Sequence, residues 1–262
     1  MAPKHSAIDV SRSQIRARDQ RASGRDSPLS AQRDYWTAWN GSYVEQQRGP
    51  ISQRQAQVVE GWLRALASRS LDILEVGCGT GWLVQRMLPF GLVTATDLSA
   101  AVLPIAQQKC PTARFVAGDF LTLDLAHRSY DVVVSLEVLA HVADPAAFFE
   151  RIADLLKPGG HVMIATQNRP VLERCEDVAP RGEGQIRNWV DRHQLRALMQ
   201  PRFRIDEMMS ICPHGHGGFL RAVNSPKLNR LLSSLVGRAR VDAVKERFWL
   251  GHTLMARATV RG

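Results

Sequence analysis

The stretch Leu71–Trp82, which reads LDILEVGCGTGW, constrains the fold of this chain more than any other segment. A short apolar run leads directly into glycines at 77, 79 and 81, which allow a tight turn and the close approach of a ligand to bare backbone. A helix that follows such a turn presents free N–H groups and the positive end of its dipole. At the carboxyl edge of a parallel sheet, this arrangement predicts a nucleoside-binding crevice.

The chain between residues 71 and 166 alternates short apolar runs with helical segments. Strands are expected at 71–76, 92–97, 113–118, 130–138 and 161–166, and helices at about 80–88, 99–109 and 144–156. Strand–helix–strand units at this spacing predict a parallel sheet with both faces covered. The turn at Lys157–Gly160 is expected to end the last of these helices. Further along, we expect a helix at 191–200 and strands at 203–211 and 251–260.

Acidic side chains at the ends of two successive strands narrow down the ligand. Asp97 ends the second strand, and a carboxylate there can accept hydrogen bonds from both hydroxyls of a ribose. Asp119 and Phe120 follow the next strand, where they can bond an adenine amino group and pack on its ring. The dinucleotide pattern GxGxxG fails at Trp82 and, counted from Gly79, at Val84. The pattern therefore favours an adenosine-like ligand with a free ribose.

The segments EVGCGTGW, TATDLS, GDF, YDVVVSLEVLAHVADP and LLKPGGHVMIATQN resemble, in order and spacing, the motifs of class I S-adenosylmethionine-dependent methyltransferases. The resemblance covers about residues 58–170, and the chain is most similar to small-molecule methyltransferases of bacterial secondary metabolism. It implies an α/β fold with a Rossmann-like, seven-stranded, mostly parallel sheet and helices on both faces, with 251–260 as the antiparallel seventh strand. It also implies S-adenosylmethionine as cofactor and S-adenosylhomocysteine as product.

The resemblance assigns a set of cofactor-binding residues. By this resemblance, Glu75 lies near the amino-acid end of the cofactor and Asp97 lies at the ribose. Leu136 and Glu137 form the wall near the sulfonium. The full set is Glu75, Gly77, Cys78, Gly79, Thr80, Gly81, Trp82, Asp97, Leu98, Ser99, Asp119, Phe120, Leu136 and Glu137.

The flanks are expected to hold the acceptor. We interpret residues 1–30 as a mobile basic arm and 31–262 as the methyltransferase domain, with an N-terminal helical lid at 31–50 and a late cap insertion at 167–247. Aromatic residues are concentrated in the first segment. The candidate acceptor-binding residues are Tyr35, Trp36, Trp39, Asn168, Arg187, Trp189, His214 and His216. His141, after the fourth strand, is the candidate catalytic base, and no metal site is expected.

The net charge of +9 lies in the flanks, since residues 70–195 are mildly acidic. A solvated basic surface accounts for this charge, but a nucleic-acid methyltransferase remains an alternative. Two further alternatives are an enzyme that uses the sulfonium for a reaction other than methyl transfer, and a protein that keeps the fold but has lost catalysis. No NPPY-type tetrad follows the fourth strand, where the sequence is SLEV. The sequence predicts methyl transfer to an oxygen or nitrogen of a small, aromatic or heterocyclic acceptor. It also predicts a cytoplasmic monomer or homodimer, and neither a nucleic-acid nor a membrane partner.

Overall fold

The computed structural model describes residues 29–43, 49–66, 69–175, 178, 180–182, 185–215 and 217–262. Most of the predicted arm and His216 lie outside the described residues. The helices are α1 (Leu29–Tyr43), α2 (Pro50–Leu66), α3 (Val84–Met87), α4 (Leu103–Lys109), α5 (Pro145–Leu155), α6 (Arg169–Leu172), α7 (Arg192–Met199), α8 (Phe219–Val223), α9 (Pro226–Val236) and α10 (Arg238–Arg247), with 3₁₀ turns at Leu88–Phe90 and Leu139–His141. The strands are β1 (Leu71–Val76), β2 (Gly91–Asp97), β3 (Arg114–Ala117), β4 (Tyr130–Leu136), β5 (Leu156–Gln167), β6 (Phe203–Pro213) and β7 (Gly251–Val260).

The seven strands form one sheet in the order β3-β2-β1-β4-β5-β7-β6. Strands β1 to β5 pair in parallel, β7 runs antiparallel to β5, and β6 runs antiparallel to β7. Every residue of β4 is buried, as expected of an apolar strand that is covered on both faces. The predicted fold class and the antiparallel final strand are confirmed.

Alternate residues of the central strands enter two separate apolar cores, one on each face of the sheet. Leu74 of β1 and Val133 of β4 pack with Phe148 and Phe149 of α5. On the other face, Ile73 of β1 and the β4 residues Val132 and Val134 pack with the apolar side of α2. That side consists of Ala56, Val59, Trp62 and Leu63. The two cores fix the sheet between helical layers.

Three of the differences between the expected and observed element boundaries bear on the crevice or on the strand register. The helix expected from about 80 begins at Val84, because the glycine turn with its positive φ angles extends to Gly81. The helix expected from Ser99 begins at Leu103. The turn at Lys157–Gly160, which was expected to end a helix, lies within β5. There it interrupts the pairing of β5 with β4 after Tyr130.

The carboxyl ends of β1, β2, β4 and β5 meet at one edge of the sheet, which we call the carboxyl edge. The strand order reverses between β1 and β4, the place where α/β sheets form ligand crevices. Because β7 is antiparallel to β5, it begins at this edge, and β6 ends there, with Pro213 opposite Gly251. The insertion that carries α8 to α10 therefore leaves and rejoins the sheet at the carboxyl edge.

Candidate active site

The glycine turn after β1 forms the floor of the crevice. Gly77 and Gly81 have φ angles of +79° and +77°, which side chains other than hydrogen rarely tolerate. A Cβ atom on Gly77 would lie 2.2 Å from Val138 Cγ2, and one on Gly81 would lie 3.0 Å from Ala106 Cβ. Gly77 N donates to Thr96 O at 2.8 Å, which fixes the turn to β2. The turn therefore packs so closely against the loop after β4 and against α4 that only glycine fits at these two positions.

Asp97, at the end of β2, is held in a fixed orientation beside this turn. Its Oδ2 accepts a hydrogen bond from Gly79 N at 2.8 Å, and its Oδ1 accepts one from Ser99 N at 2.9 Å. The residue is 8% exposed. Burial raises the pKa of its carboxyl, while the two backbone hydrogen bonds oppose that rise. Each oxygen retains lone pairs, so the carboxylate can accept two hydroxyls at once.

Glu75 is a buried acid with an unsatisfied acceptor. No hydrogen-bond partner reaches its Oε2, which is shielded from solvent. Burial, followed by the negative charge of Asp97, raises its pKa well above the ordinary value. An unpartnered buried carboxyl costs free energy unless a cation or donor approaches it. A ligand with a positive charge would satisfy this group.

The other cofactor candidates differ in what their side chains can reach. Cys78 and Thr80 are fully buried beneath the turn, so they line the crevice through their backbone. Trp82 and Leu98 are half-buried, and Ser99 Oγ lies 2.7 Å from Thr37 Oγ1 of α1.

The Asp119–Phe120 pair requires a correction. Asp119 is half-buried and its Oδ1 accepts a hydrogen bond from Leu121 N at 3.1 Å. The Phe120 ring, however, is 7% exposed and packs edge-on against Phe148, with centroids 5.3 Å apart. The expectation that this ring packs on adenine is therefore wrong, because the core between β4 and α5 takes it up.

Glu137 lies directly after β4, where a φ of +63° turns the chain at the carboxyl edge. Its Oε1 accepts hydrogen bonds from Gln55 Nε2 of α2 and from Thr253 Oγ1 of β7, the latter at 3.2 Å. Its Oε2 is shielded from solvent and has no partner. Burial raises the pKa of this carboxyl to about 7, against the lowering effect of the two hydrogen bonds. The predicted wall residue is thus also a group that titrates near neutral pH.

Comparison with known proteins agrees with this geometry. The family model of the methyltransferase domain matches residues 74–164, which run from β1 into β5 and include the glycine turn, Asp97 and Glu137. The chain carries a class I S-adenosylmethionine-dependent methyltransferase domain.

Two kinds of relative place this methyltransferase domain among known proteins. A ubiquinone biosynthesis O-methyltransferase of Chelativorans sp. is 32% identical over 138 residues, which cover 50% of this chain and 54% of that protein. The chain thus matches about half the length of such curated relatives. The N-methyltransferase NodS of Bradyrhizobium japonicum, solved with S-adenosyl-L-homocysteine, has a TM-score of 0.55 at 16% identity, over 82% of this chain and 90% of NodS. The [4+2]-cyclase SpnF has a TM-score of 0.52 at 17% identity, over 78% and 81%. These two structures share the fold alone.

The residues of the methyltransferase domain fit S-adenosylmethionine. Asp97 can accept the ribose hydroxyls, and the unpartnered Glu75 Oε2 suits the positively charged amino-acid end. The glycine turn from Gly77 to Gly81 follows Glu75 in the chain and is bonded to Asp97 through Gly79 N.

Helix α1 lies across the carboxyl edge of the domain. Gln32 Nε2 donates to His141 O, and its Oε1 accepts a hydrogen bond from Ile186 N at 3.0 Å. The Trp36 ring contacts the His141 ring edge-on, with centroids 4.5 Å apart. Together with the Thr37–Ser99 contact, these bonds join α1 to the loops after β2 and β4. The aromatic helix therefore covers the predicted binding site.

The environment of His141 argues against a role as base. Its Nδ1 lies 2.6 Å from Ile186 O, and because a carbonyl only accepts, Nδ1 carries the proton. Burial lowers the pKa of this imidazole to about 4, so it is a weak base at neutral pH. The ring instead joins α1 to the segment before α7.

Among the remaining candidates for acceptor binding, Asn168 has a structural role. Its Nδ2 donates to Trp249 O and Gly251 O at 2.9 and 2.8 Å, so this buried amide fixes the start of β7 instead of facing an acceptor. The Arg187 guanidinium stacks over Trp189 at 5.0 Å.

Two residues of the polar centre around Glu137 were missed by sequence reasoning. Gln55 and Thr253 lie 82 and 116 positions from Glu137 and belong to no motif. His214 packs edge-on against His252, whose Nδ1 lies 3.1 Å from Thr253 Oγ1, and so adjoins the same centre. No local signal in the sequence identifies Gln55, Thr253 or His252.

We expect Trp36→Ala to raise the KM of an aromatic acceptor by about tenfold or more, because the substitution removes the central ring of the α1 cluster. The dissociation constant of S-adenosylhomocysteine, measured by calorimetry, should change by less than about twofold. The exposed Asp34→Ala on the same helix is the control. An equal loss of acceptor and cofactor affinity would contradict the assignment of Trp36 to the acceptor.

Proposed function

We propose that this protein transfers the methyl group of S-adenosylmethionine to a hydroxyl oxygen of a small aromatic acceptor. The observation that carries the proposal is Glu137, a buried carboxyl at the carboxyl edge with a pKa of about 7 and an unpartnered Oε2. When bound, S-adenosylmethionine supplies a methyl group on a sulfonium, whose carbon–sulfur bond breaks as the acceptor's oxygen–carbon bond forms, leaving S-adenosylhomocysteine.

The need for a base favours oxygen as the methylated atom. A hydroxyl must lose its proton, whereas a neutral amine can attack without prior deprotonation. In this proposal Gln55 and Thr253 fix Oε1 of Glu137, and Oε2 takes the hydroxyl proton. A base with a pKa near 7 is well matched to neutral pH. The similarity to ubiquinone biosynthesis O-methyltransferases supports the same atom.

The aromatic helix supports the class of acceptor. Tyr35, Trp36 and Trp39 form a continuous edge-to-face cluster, with centroid separations of 5.0 and 5.7 Å. Such rings offer flat apolar walls to a flat acceptor. Closure of α1 over the edge would also exclude water from the methyl group.

Methyl-labelled S-adenosylmethionine, incubated with the full chain and a matched panel of phenols, catechols and anilines, tests the proposal. We expect label in the O-methyl products of phenols or catechols, with one S-adenosylhomocysteine formed for each. Label only in anilines, or methylthioadenosine as the product, would contradict it. Label in structured RNA but in no small acceptor would support the nucleic-acid alternative instead.

A further inference from the structure

Helix α9 is attached to the rest of the protein by its polar side. Asn229 Nδ2 donates to Asn224 O at 3.1 Å, and Asn229 Oδ1 accepts a hydrogen bond from Lys245 Nζ of α10 at 2.7 Å. Asn229 and Ser233, one turn apart, are both half-buried. The inward side of this helix is therefore the side that carries its amide and hydroxyl groups.

The apolar side of α9 faces solvent. Its members recur at i, i+3, i+4, i+7 and i+8, which places them on one stripe of the helix. They are Leu228, Leu231, Leu232, Leu235 and Val236, all exposed, with Leu235 at 72%. In a surface helix the apolar stripe normally faces the core, so this orientation is the reverse of the usual one.

Helix α10, which packs against α9, adds exposed apolar side chains within it and just after its end. Val244 and Phe248, four residues apart, are exposed at 56% and 67%. Together with the five apolar residues of α9 they form what we call the α9–α10 patch. Among the residues that the structure describes, only Leu29 and Leu92 are other large apolar side chains with comparable exposure. A concentration of this kind marks an interaction site.

Basic side chains are concentrated in the segment that carries the patch. Lys227 borders one side of the apolar stripe on α9, whereas Arg230 lies on the opposite side of that helix. Arg221 and Arg240 lie in the neighbouring helices, and all four side chains are exposed. The acids of this region face other groups: Asp242 pairs with Arg238 at 3.0 Å, and Glu246 accepts a hydrogen bond from Cys212 N at 3.1 Å. The outward charge around the patch is therefore positive.

We propose that the α9–α10 patch docks this protein onto an anionic membrane surface, with the leucines among the acyl chains and the basic side chains on lipid phosphates. An exposed apolar stripe on a helix that carries lysine and arginine outside that stripe is the pattern of helices that lie in a membrane interface. With 11 residues α9 is too short to cross a bilayer, and no described helix is long and apolar enough to do so. The sequence alone predicted no membrane partner, because it contains no apolar run of about 18 residues.

Charge argues against two other occupants of the patch. A second copy of the chain would bring a segment with an excess of basic side chains against the same segment of its partner. Residues 1–28 have an excess of basic residues, so they would also meet like charge. An anionic lipid surface complements both the apolar stripe and the positive rim.

Docking here would also orient the active site. The insertion that carries the patch leaves β6 at Pro213 and rejoins the sheet at Gly251, both at the carboxyl edge. The segment that carries the patch is therefore joined to the sheet at the same edge as the crevice. Attachment of the patch would turn that edge toward the membrane.

Co-sedimentation of the full chain with phosphatidylcholine vesicles, with and without phosphatidylglycerol, tests the proposal. We expect binding only when phosphatidylglycerol is present, weakened by salt. The double variant L231E/L235E should bind these vesicles at least about tenfold more weakly. The matched control is Leu92→Glu, which changes an equally exposed leucine, 70% accessible, at the opposite edge. A second pair, K227E/R230E against Arg114→Glu, tests the basic rim.

Folding of every variant is checked by the thermal shift on adding S-adenosylhomocysteine. Wild-type affinity for vesicles in L231E/L235E would overturn the proposal. So would the absence of vesicle binding combined with a dimer that L231E/L235E dissociates. Binding of mixed-sequence RNA that K227E/R230E abolishes, without any binding to vesicles, would overturn it in favour of a nucleic-acid surface.

Discussion

Glu137→Gln should lower kcat for a phenolic acceptor by about 10²–10⁴-fold, the contribution typical of a positioned general base. Glutamine keeps the shape of the side chain and can still bond Thr253, but it cannot take a proton. The dissociation constant of S-adenosylhomocysteine should stay within about twofold of the wild-type value. Steady-state kinetics with the best acceptor of the panel, together with calorimetry, measure both quantities.

The pH profile separates a base from a purely structural carboxyl. With its pKa raised to about 7, Glu137 is protonated in acid, so wild-type kcat should rise with pH through about 7 and then level off. Glu137→Gln should lack this step. His141→Gln serves as the matched control and should keep it, because His141 titrates near 4. If kcat and its pH profile are unchanged in Glu137→Gln, Glu137 is not the base.

The same pKa shift predicts an effect on stability. A carboxyl whose pKa is 4.5 when unfolded and about 7 when folded binds a proton more tightly in the native state. Its contribution to stability is therefore complete in acid and declines as pH rises between these two values. The melting temperature of Glu137→Gln should decline less over this pH range than that of the wild type. Part of the decline should remain, because the pKa of Glu75 is also raised in the folded protein.

Asp97→Ala should weaken the binding of S-adenosylhomocysteine by about 100-fold or more. The substitution removes two expected hydrogen bonds from ribose hydroxyls to a charged group, each of which contributes about 1.5–3 kcal/mol. It also releases the N–H groups of Gly79 and Ser99, which the carboxylate fixes in the wild type. Calorimetry with S-adenosylhomocysteine measures the change directly.

The exposed Asp124→Ala, on the loop between β3 and β4, is the matched control for Asp97→Ala and should bind like the wild type. Near-normal affinity in Asp97→Ala would show that the nucleoside lies elsewhere, and would remove the basis for the crevice at the glycine turn.

The cofactor half of the site was predictable because its information is local. Gly77 directly follows β1 and Asp97 ends β2, and the alternation of strands and helices places both at one sheet edge. The residue types also carry their chemistry without help from distant neighbours. Phe120 was the exception, since an aromatic residue after a strand can turn to a ligand or to the core, and the choice depended on Phe148.

The centre around Glu137 could not be predicted in the same way. Its hydrogen bonds come from Gln55 and Thr253, which are brought there by α2 and by the antiparallel β7. The pKa of the carboxyl depends on how completely these elements bury it. By contrast, His141 had the residue type of a base, but burial lowers its pKa, against the raising effect of its hydrogen bond to Ile186 O.

By itself, the sequence determined the sheet, the glycine turn and the acids that suit an adenosine-like cofactor, because strand periodicity and turn chemistry act over a few residues. Only the tertiary structure decided which carboxyl titrates near neutral pH and which way the leucines of α9 face. Helical periodicity fixes which residues share a stripe, but not the side on which the protein lies. That side is set by long-range packing, here through Asn229 and Lys245, and it leaves the apolar stripe outward.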